Sequence, residues 1–238
     1  MKYQAILFDL DGTLLHMREK EFVSTLISSL ITELREDAKS YSILGDELKN
    51  SLQYVIKNDG SCTNRQAFIN YYTHLESTTD LHIDIDSVER FYQTKFDSLL
   101  RHTCGKDPEA VKLISYIQAL KIPMIVATNP FFPKAATYTR LHWAGLDPAD
   151  FQEITTYENY HYCKPNIFYY EELFDKTGIN PHQCLMVGNN VDEDMIVQKL
   201  GCDVFLVLRD LINVNNVDIS QYKRGSLGDV IKYLENKK

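Results

Sequence analysis

The chain has 238 residues, 44% hydrophobic and 24% charged, enough for one large core or a core with a smaller insertion. A formal net charge of −8 argues against nucleic-acid and acidic-membrane binding, and requires that any anionic substrate be met by local cations or a metal. The five cysteines (Cys62, Cys104, Cys163, Cys184, Cys202) form no C-x-x-C pair and no apolar run reaches transmembrane length, so a soluble, cytoplasmic protein with reduced thiols is expected.

The first element is the apolar run Ala5 to Phe8, which reads as a buried strand. It ends on Asp9 and Asp11, followed by Gly12 and Thr13. Strand positions two apart share a side, so both carboxylates meet if the extended geometry persists. Carboxylates that close hold one proton between them or share a cation. The alternative is a polar turn that closes a core strand.

Helical patterns follow. Phe22, Val23, Leu26, Ile27, Leu30, Ile31 and Leu34 make one broad apolar face, and Leu48, Leu52, Val55 and Ile56 a second. Thr63-x-x-Gln66 has the form of a capping box that opens a third helix burying Ala67, Phe68, Tyr71, Tyr72 and Leu75. A fourth follows Asp86. With no comparable strand signal from 16 to about 100, this stretch reads as a helical unit inserted after the first strand.

Asp107-Pro108 then caps a helix running to Leu120. Short apolar strands follow at 123–128, more weakly at 153–157, and at 184–187 and 203–208. Helices are expected after Pro133, over 166–176 and 191–200, and over 226–235 with Ser226 as cap. Alternation of this kind predicts an α/β fold with a mostly parallel, Rossmann-like sheet. The expected division is a core of 1–15 and 101–238 carrying an all-helical cap of 16–100.

Ligands of open parallel sheets bind outside the carboxyl ends of the strands. Those ends carry Asp9 and Asp11, Thr128 and Asn129, and residues 188–194, with Lys164 arriving in a loop between the third and fourth strands. Carboxylates, a hydroxyl, an amide and a lysine together suit a phosphate and a magnesium ion, which prefers one or two carboxylates plus phosphate and water. Cys163, His102, His142, His161 and the tyrosines at 157, 160, 162, 169 and 170 are read as packing or ordinary surface residues. Lys20, Arg65 and Arg101 in the helical unit are read as solvated.

Asp9-Leu10-Asp11-Gly12-Thr13, Thr128-Asn129, Lys164-Pro165 and the run from Gly188 to Asp194 resemble, in order, the four motifs of the haloacid dehalogenase superfamily. The resemblance spans residue 4 to about 208, and 16–100 falls where that family inserts a helical cap. It implies a phosphatase that acts on a small phosphorylated metabolite through an aspartyl-phosphate. Asp9 would be the nucleophile and Asp11 the acid and base. Thr128 and Lys164 would hold phosphoryl oxygens, with Gly12, Thr13 and Asn129 beside them. Magnesium would sit on the Asp9 carboxylate, the Asp11 main-chain carbonyl, Asn189 and Asp194.

The family's namesake dehalogenases lack an acid at the position of Asp11, so its presence favours phosphoryl chemistry. Asn189 is the departure, because the family usually has an acid there. It can coordinate through oxygen but brings no charge. A phosphotransferase of the β-phosphoglucomutase kind shares all these residues, and a catalytically decayed binding or regulatory protein is the third reading.

Overall fold

The computed structural model describes residues 3–34 and 40–236. The chain runs β1 (Ala5–Phe8), β2 (Leu15–Met17), α1 (Glu19–Leu34), α2 (Ser40–Ile56), α3 (Asn64–Thr78), α4 (Ile85–Thr94) and α5 (Phe96–Leu100). It continues with β3 (Cys104–Lys106), α6 (Pro108–Ala119), β4 (Met124–Val126), α7 (Lys134–Ala144), β5 (Glu153–Ile154) and α8 (Ile167–Thr177). The last elements are β6 (Cys184–Gly188), β7 (Asp203–Val207), β8 (Lys223–Gly225) and α9 (Leu227–Glu235).

Six strands form one sheet in the order β5-β4-β1-β6-β7-β8, and every pairing is parallel. β1 lies in the middle, with Ile6 opposite Met124 of β4 on one side and Leu185 of β6 on the other. Ala5, Ile6, Leu7 and Phe8 are wholly buried, as a strand covered on both faces requires. The chain builds outward from β1 through β4 to β5, then crosses back to start β6 on β1's other side. That reversal opens a crevice at the carboxyl ends of β1 and β6, where Asp9 and Asn189 stand.

α1 to α5 carry the stretch expected to be helical. Their apolar faces and those of α6 and α7 join one hydrophobic cluster. Phe22 meets Phe96 and Phe132 edge-on, each with ring centroids 6.1 Å apart, and Phe96 stacks on Trp143 of α7 at 5.2 Å. The helical stretch is thereby packed on α7 and on the loop after β4.

Several local expectations change. β2 and β3 pair antiparallel as a separate two-stranded ribbon at the base of the helical stretch, each too short to show alternation. Thr63 accepts from the Gln66 N–H at 3.2 Å, but the Gln66 amide donates to Asn70, so only half of the capping box forms. α4 begins earlier than expected, capped by Asp84. The strand expected over 153–157 is only Glu153–Ile154, and the helix over 191–200 shrinks to a 3₁₀ turn at Met195–Leu200. Tyr160, Tyr169 and Tyr170 are fully buried, as packing residues rather than surface ones.

Candidate active site

Asp9 follows the last residue of β1, with its N–H bonded to Val187 O at 3.0 Å. The chain then turns through residues 10–15, closed by Gly12 N–H to Leu15 O at 2.7 Å and Leu15 N–H to Leu10 O at 2.9 Å. Gly12 makes that turn possible with φ +82°, a left-handed value. A Cβ there would come within 2.3 Å of the Asn189 side-chain nitrogen. Glycine therefore lets the first and fourth motifs touch.

Beneath Asp9 lies a buried ionic cluster. Lys164 Nζ donates to Asp9 Oδ1 at 2.9 Å and to Asp194 Oδ1 at 2.6 Å, and the lysine and Asp194 side chains are completely buried. Burial opposes the lysine's charge, but the two carboxylates outweigh it and hold Lys164 well above its usual range. Complete burial pushes Asp194 up to about 7, with Lys164 pulling it down and Asp9 adding repulsion. Its other oxygen accepts from the Asn190 N–H at 2.9 Å, so both Asp194 oxygens are committed within the protein.

Thr13 and Asn189 fill the space between the first and fourth motifs. The Thr13 hydroxyl lies 3.2 Å from Asp9 Oδ2 and 2.9 Å from Asn189 Oδ1, and the Asn189 amide donates to Asp210 O at 2.6 Å. Asn129 organises the other flank. It accepts from the Lys164 N–H at 3.2 Å and donates to Lys164 O at 3.2 Å and Glu193 Oε2 at 3.1 Å. Thr128 is buried, its carbonyl accepting from the Thr155 hydroxyl at 2.6 Å and the Tyr169 hydroxyl at 3.0 Å.

Asp11 points to a partner that sequence reasoning missed. Its Oδ2 accepts from Arg140 Nη1, while its Oδ1 is buried without a hydrogen bond. Arg140 is wholly buried, held by the Thr137 hydroxyl at 3.3 Å and lying 4.4 Å over the Phe132 ring. Burial raises the Asp11 carboxyl above its usual range, Arg140 restrains the rise, and Asp9 adds to it. Arg209 was also missed, and ties Asp107 to the Thr13 carbonyl, the latter at 3.2 Å.

Asp9, Asp11, Gly12, Thr128, Asn129 and Asn189 all line one cavity of about 460 Å³. Lys164 and Asp194 sit behind it, and Thr13 bridges its floor. A larger depression of about 600 Å³ on the outer face of α1 holds only the Lys95–Glu33 ion pair and no convergent chemistry.

The model of the haloacid dehalogenase-like hydrolases matches residues 3–197, which includes all four motifs. The chain belongs to that family. Solved structures agree in fold. An HAD phosphatase from Thermococcus onnurineus is 18% identical, with a TM-score of 0.59 and 97% of each chain covered. The HAD-hydrolase YfnB from Bacillus subtilis, bound to magnesium, is 19% identical at TM-score 0.59, covering 99% of this chain and 100% of its own. The L-2-haloacid dehalogenase from Xanthobacter autotrophicus is 13% identical at the same score and coverage. At these identities the likeness is one of fold. No curated protein matches the chain. No described helix is long and apolar enough to cross a membrane.

A magnesium ion would meet hard oxygens here in the Asp9 carboxylate, bonded to Lys164 Nζ at 2.9 Å, and in the Asn189 amide oxygen, which accepts from the Thr13 hydroxyl at 2.9 Å. Among the described residues no three His, Cys, Asp or Glu side chains gather as a metal cage. With an amide at 189 and Asp194 turned to Lys164, this haloacid dehalogenase-like hydrolase would offer such an ion less negative charge than two free carboxylates.

Proposed function

We propose that the chain is a magnesium-dependent phosphatase that hydrolyses a small phosphorylated metabolite through an aspartyl-phosphate on Asp9. The observation that carries this reading is the second carboxyl: Asp11 lines the same cavity as Asp9, raised by burial and backed by Arg140. A proton donor beside the nucleophile serves an ester whose alkoxide must leave, whereas halide needs none.

Asp9 attacks phosphorus through a carboxylate oxygen, forming the acyl phosphate and breaking the ester P–O bond. Asp11 gives its proton to the departing oxygen. It then takes a proton from the water that attacks the aspartyl-phosphate, which releases phosphate and restores both carboxyls. Lys164 orients Asp9 and offsets negative charge on the phosphoryl group, and Thr128 and Asn129 face the same space. Magnesium, held by the Asp9 carboxylate, the Asp11 main-chain carbonyl and Asn189 with Asp194 behind Lys164, would neutralise phosphoryl oxygens. The helices over 16–100 would act as a cap that excludes bulk water.

Phosphate release from phosphorylated metabolites tests the reading, with chloride release from 2-haloacids run beside it. Asp9→Asn should lose at least about 10⁴-fold in rate while still folding, as far-ultraviolet circular dichroism reads. Full activity in that variant would overturn the mechanism. Asn189→Asp should reach half-maximal rate at lower magnesium.

A further inference from the structure

We infer that the alcohol half of the substrate is apolar and carries no second anion. This rests on the phosphatase reading for the position of the phosphoryl group, and on the cavity for the rest. Opposite Asp9 and Asp11, α1 presents Phe22, Val23, Leu26 and Ile27, one face of the helix, and α2 adds Leu52. Phe131 and Phe132 close the side next to Thr128. The polar groups away from the reacting carboxyls include Glu19, Glu193 and Asp210, all acids.

Cations are missing from this lining. No Lys, Arg or His is among the described residues that bound the cavity. Lys164 and Arg140 are fully buried and already bonded to Asp9 and Asp11, and Arg209 is bonded to Asp107 and the Thr13 carbonyl. Arg65 is tied to Glu89, and Lys20 and Arg101 are exposed and lie outside the lining. Asp210 is paired with His16 at 2.6 Å and has Arg209 3.7 Å away, both outside the lining, so a carboxylate or second phosphate on the substrate would meet Glu19 and Glu193 with no unengaged cation among the described residues that bound the cavity. The hydroxyls of a sugar would lose their water against Phe22, Leu26 and Leu52 and gain no partner there. An alkyl or aryl group has neither difficulty, and about 460 Å³ lies in the ordinary range for a small-molecule site.

The test has a catalytic arm and a binding arm. In the first, n-propyl to n-hexyl phosphates and phenyl phosphate are compared with glucose 6-phosphate and phosphoglycolate at saturating magnesium. kcat/KM should rise about 4-fold per methylene, mainly through KM, and the sugar and the acid should be about 100-fold poorer. In the second, n-hexylphosphonate is titrated calorimetrically into the protein with magnesium and should bind with a negative heat-capacity change. Val23 is 42% exposed, so Val23→Lys should fold, lower kcat/KM for hexyl phosphate about 10-fold and raise it for phosphoglycolate. A flat alkyl series with the sugar or the acid preferred overturns the inference and leaves the phosphatase standing. No phosphate from any ester, with hexylphosphonate still bound, overturns the phosphatase reading and keeps the pocket's assignment. Neither release nor binding overturns both.

Discussion

The two walls of the cavity are built by opposite means. The sheet-side wall is ionic: Asp9, Lys164 and Asp194 lock together out of water, and Asp11 leans on a buried arginine. The helical wall is apolar beyond Glu19 at the start of α1, built from Phe22, Val23, Leu26 and Ile27 of α1 and Leu52 of α2. Buried ions are costly and hold their geometry only when every partner is present, whereas an apolar wall tolerates exchange of one hydrophobe for another. Chemistry should therefore be brittle to substitution and selectivity plastic. Residues on the sheet side should govern kcat, and those on the helical side KM.

Lys164→Met is the sharpest attempt to break that contrast. It leaves Asp9 and Asp194 facing each other in a site that excludes water. About 3–5 kcal/mol of stability should be lost in denaturant unfolding, and phosphate release should disappear. If the variant unfolds like the wild type, the ionic wall is not the rigid half. Arg140→Met should come next. It lifts the restraint on Asp11, which then keeps its proton to higher pH. The alkaline limb of the rate profile should move up. The second half-reaction needs the carboxylate, so kcat at neutral pH should fall about 10–100-fold with phosphoenzyme accumulating. A purely structural Arg140 would lower the melting temperature and leave the limb where it was.

Arg140 also shows what the sequence could and could not disclose. The strand ends were legible because apolar runs stopping on Asp9, Thr128 and Asn189 are a one-dimensional signal. A basic residue in mid-helix reads as solvated by default. The contrary signal was present: Ala136, Thr137, Arg140, Leu141 and Ala144 recur at helical spacing, and that stripe is the buried face of α7. Arg140 occupies a core position, and only a buried acid elsewhere in the chain explains it. The β2–β3 ribbon and β8 stayed hidden for a simpler reason, being three residues each and partly exposed. Asp194 was recognised as an acid of the fourth motif, but that both its oxygens turn inward depends on Lys164 arriving from a distant loop.

A matched pair of glycines separates backbone strain from site geometry. Gly178, at φ +67°, has nothing within 4 Å of where a Cβ would stand, while Gly12 would place one 2.3 Å from Asn189. Gly178→Ala should cost about 1 kcal/mol in thermal unfolding and leave kcat untouched. Gly12→Ala should cost more than that and also raise the magnesium needed for half-maximal rate, because Asn189 must move. Equal effects in the two variants would mean that the close approach of the first and fourth motifs is dispensable.

The smallest effect concerns the loop that delivers Lys164. Glu172 accepts from the His161 N–H at 3.0 Å and from His161 Nδ1 at 2.7 Å, and Lys176 Nζ lies 2.9 Å away. Burial alone would raise the Glu172 carboxyl, but the bonds from His161 and the neighbouring Lys176 outweigh it and hold the group below its ordinary 4.5. Folding therefore favours the ionised form. The stabilisation is complete above the unfolded value and is lost as pH falls through the lower folded value. In denaturant unfolding from pH 7 to pH 3, wild type should exceed Glu172→Gln by about 1–2 kcal/mol at the neutral end, with the gap closing in acid. Activity at neutral pH should hardly change, because Asn129 grips the Lys164 main chain independently and Asp9 and Asp194 grip its side chain. A large loss of kcat would show instead that the loop is held from outside the cavity, and that the ionic wall's rigidity is borrowed from the surface.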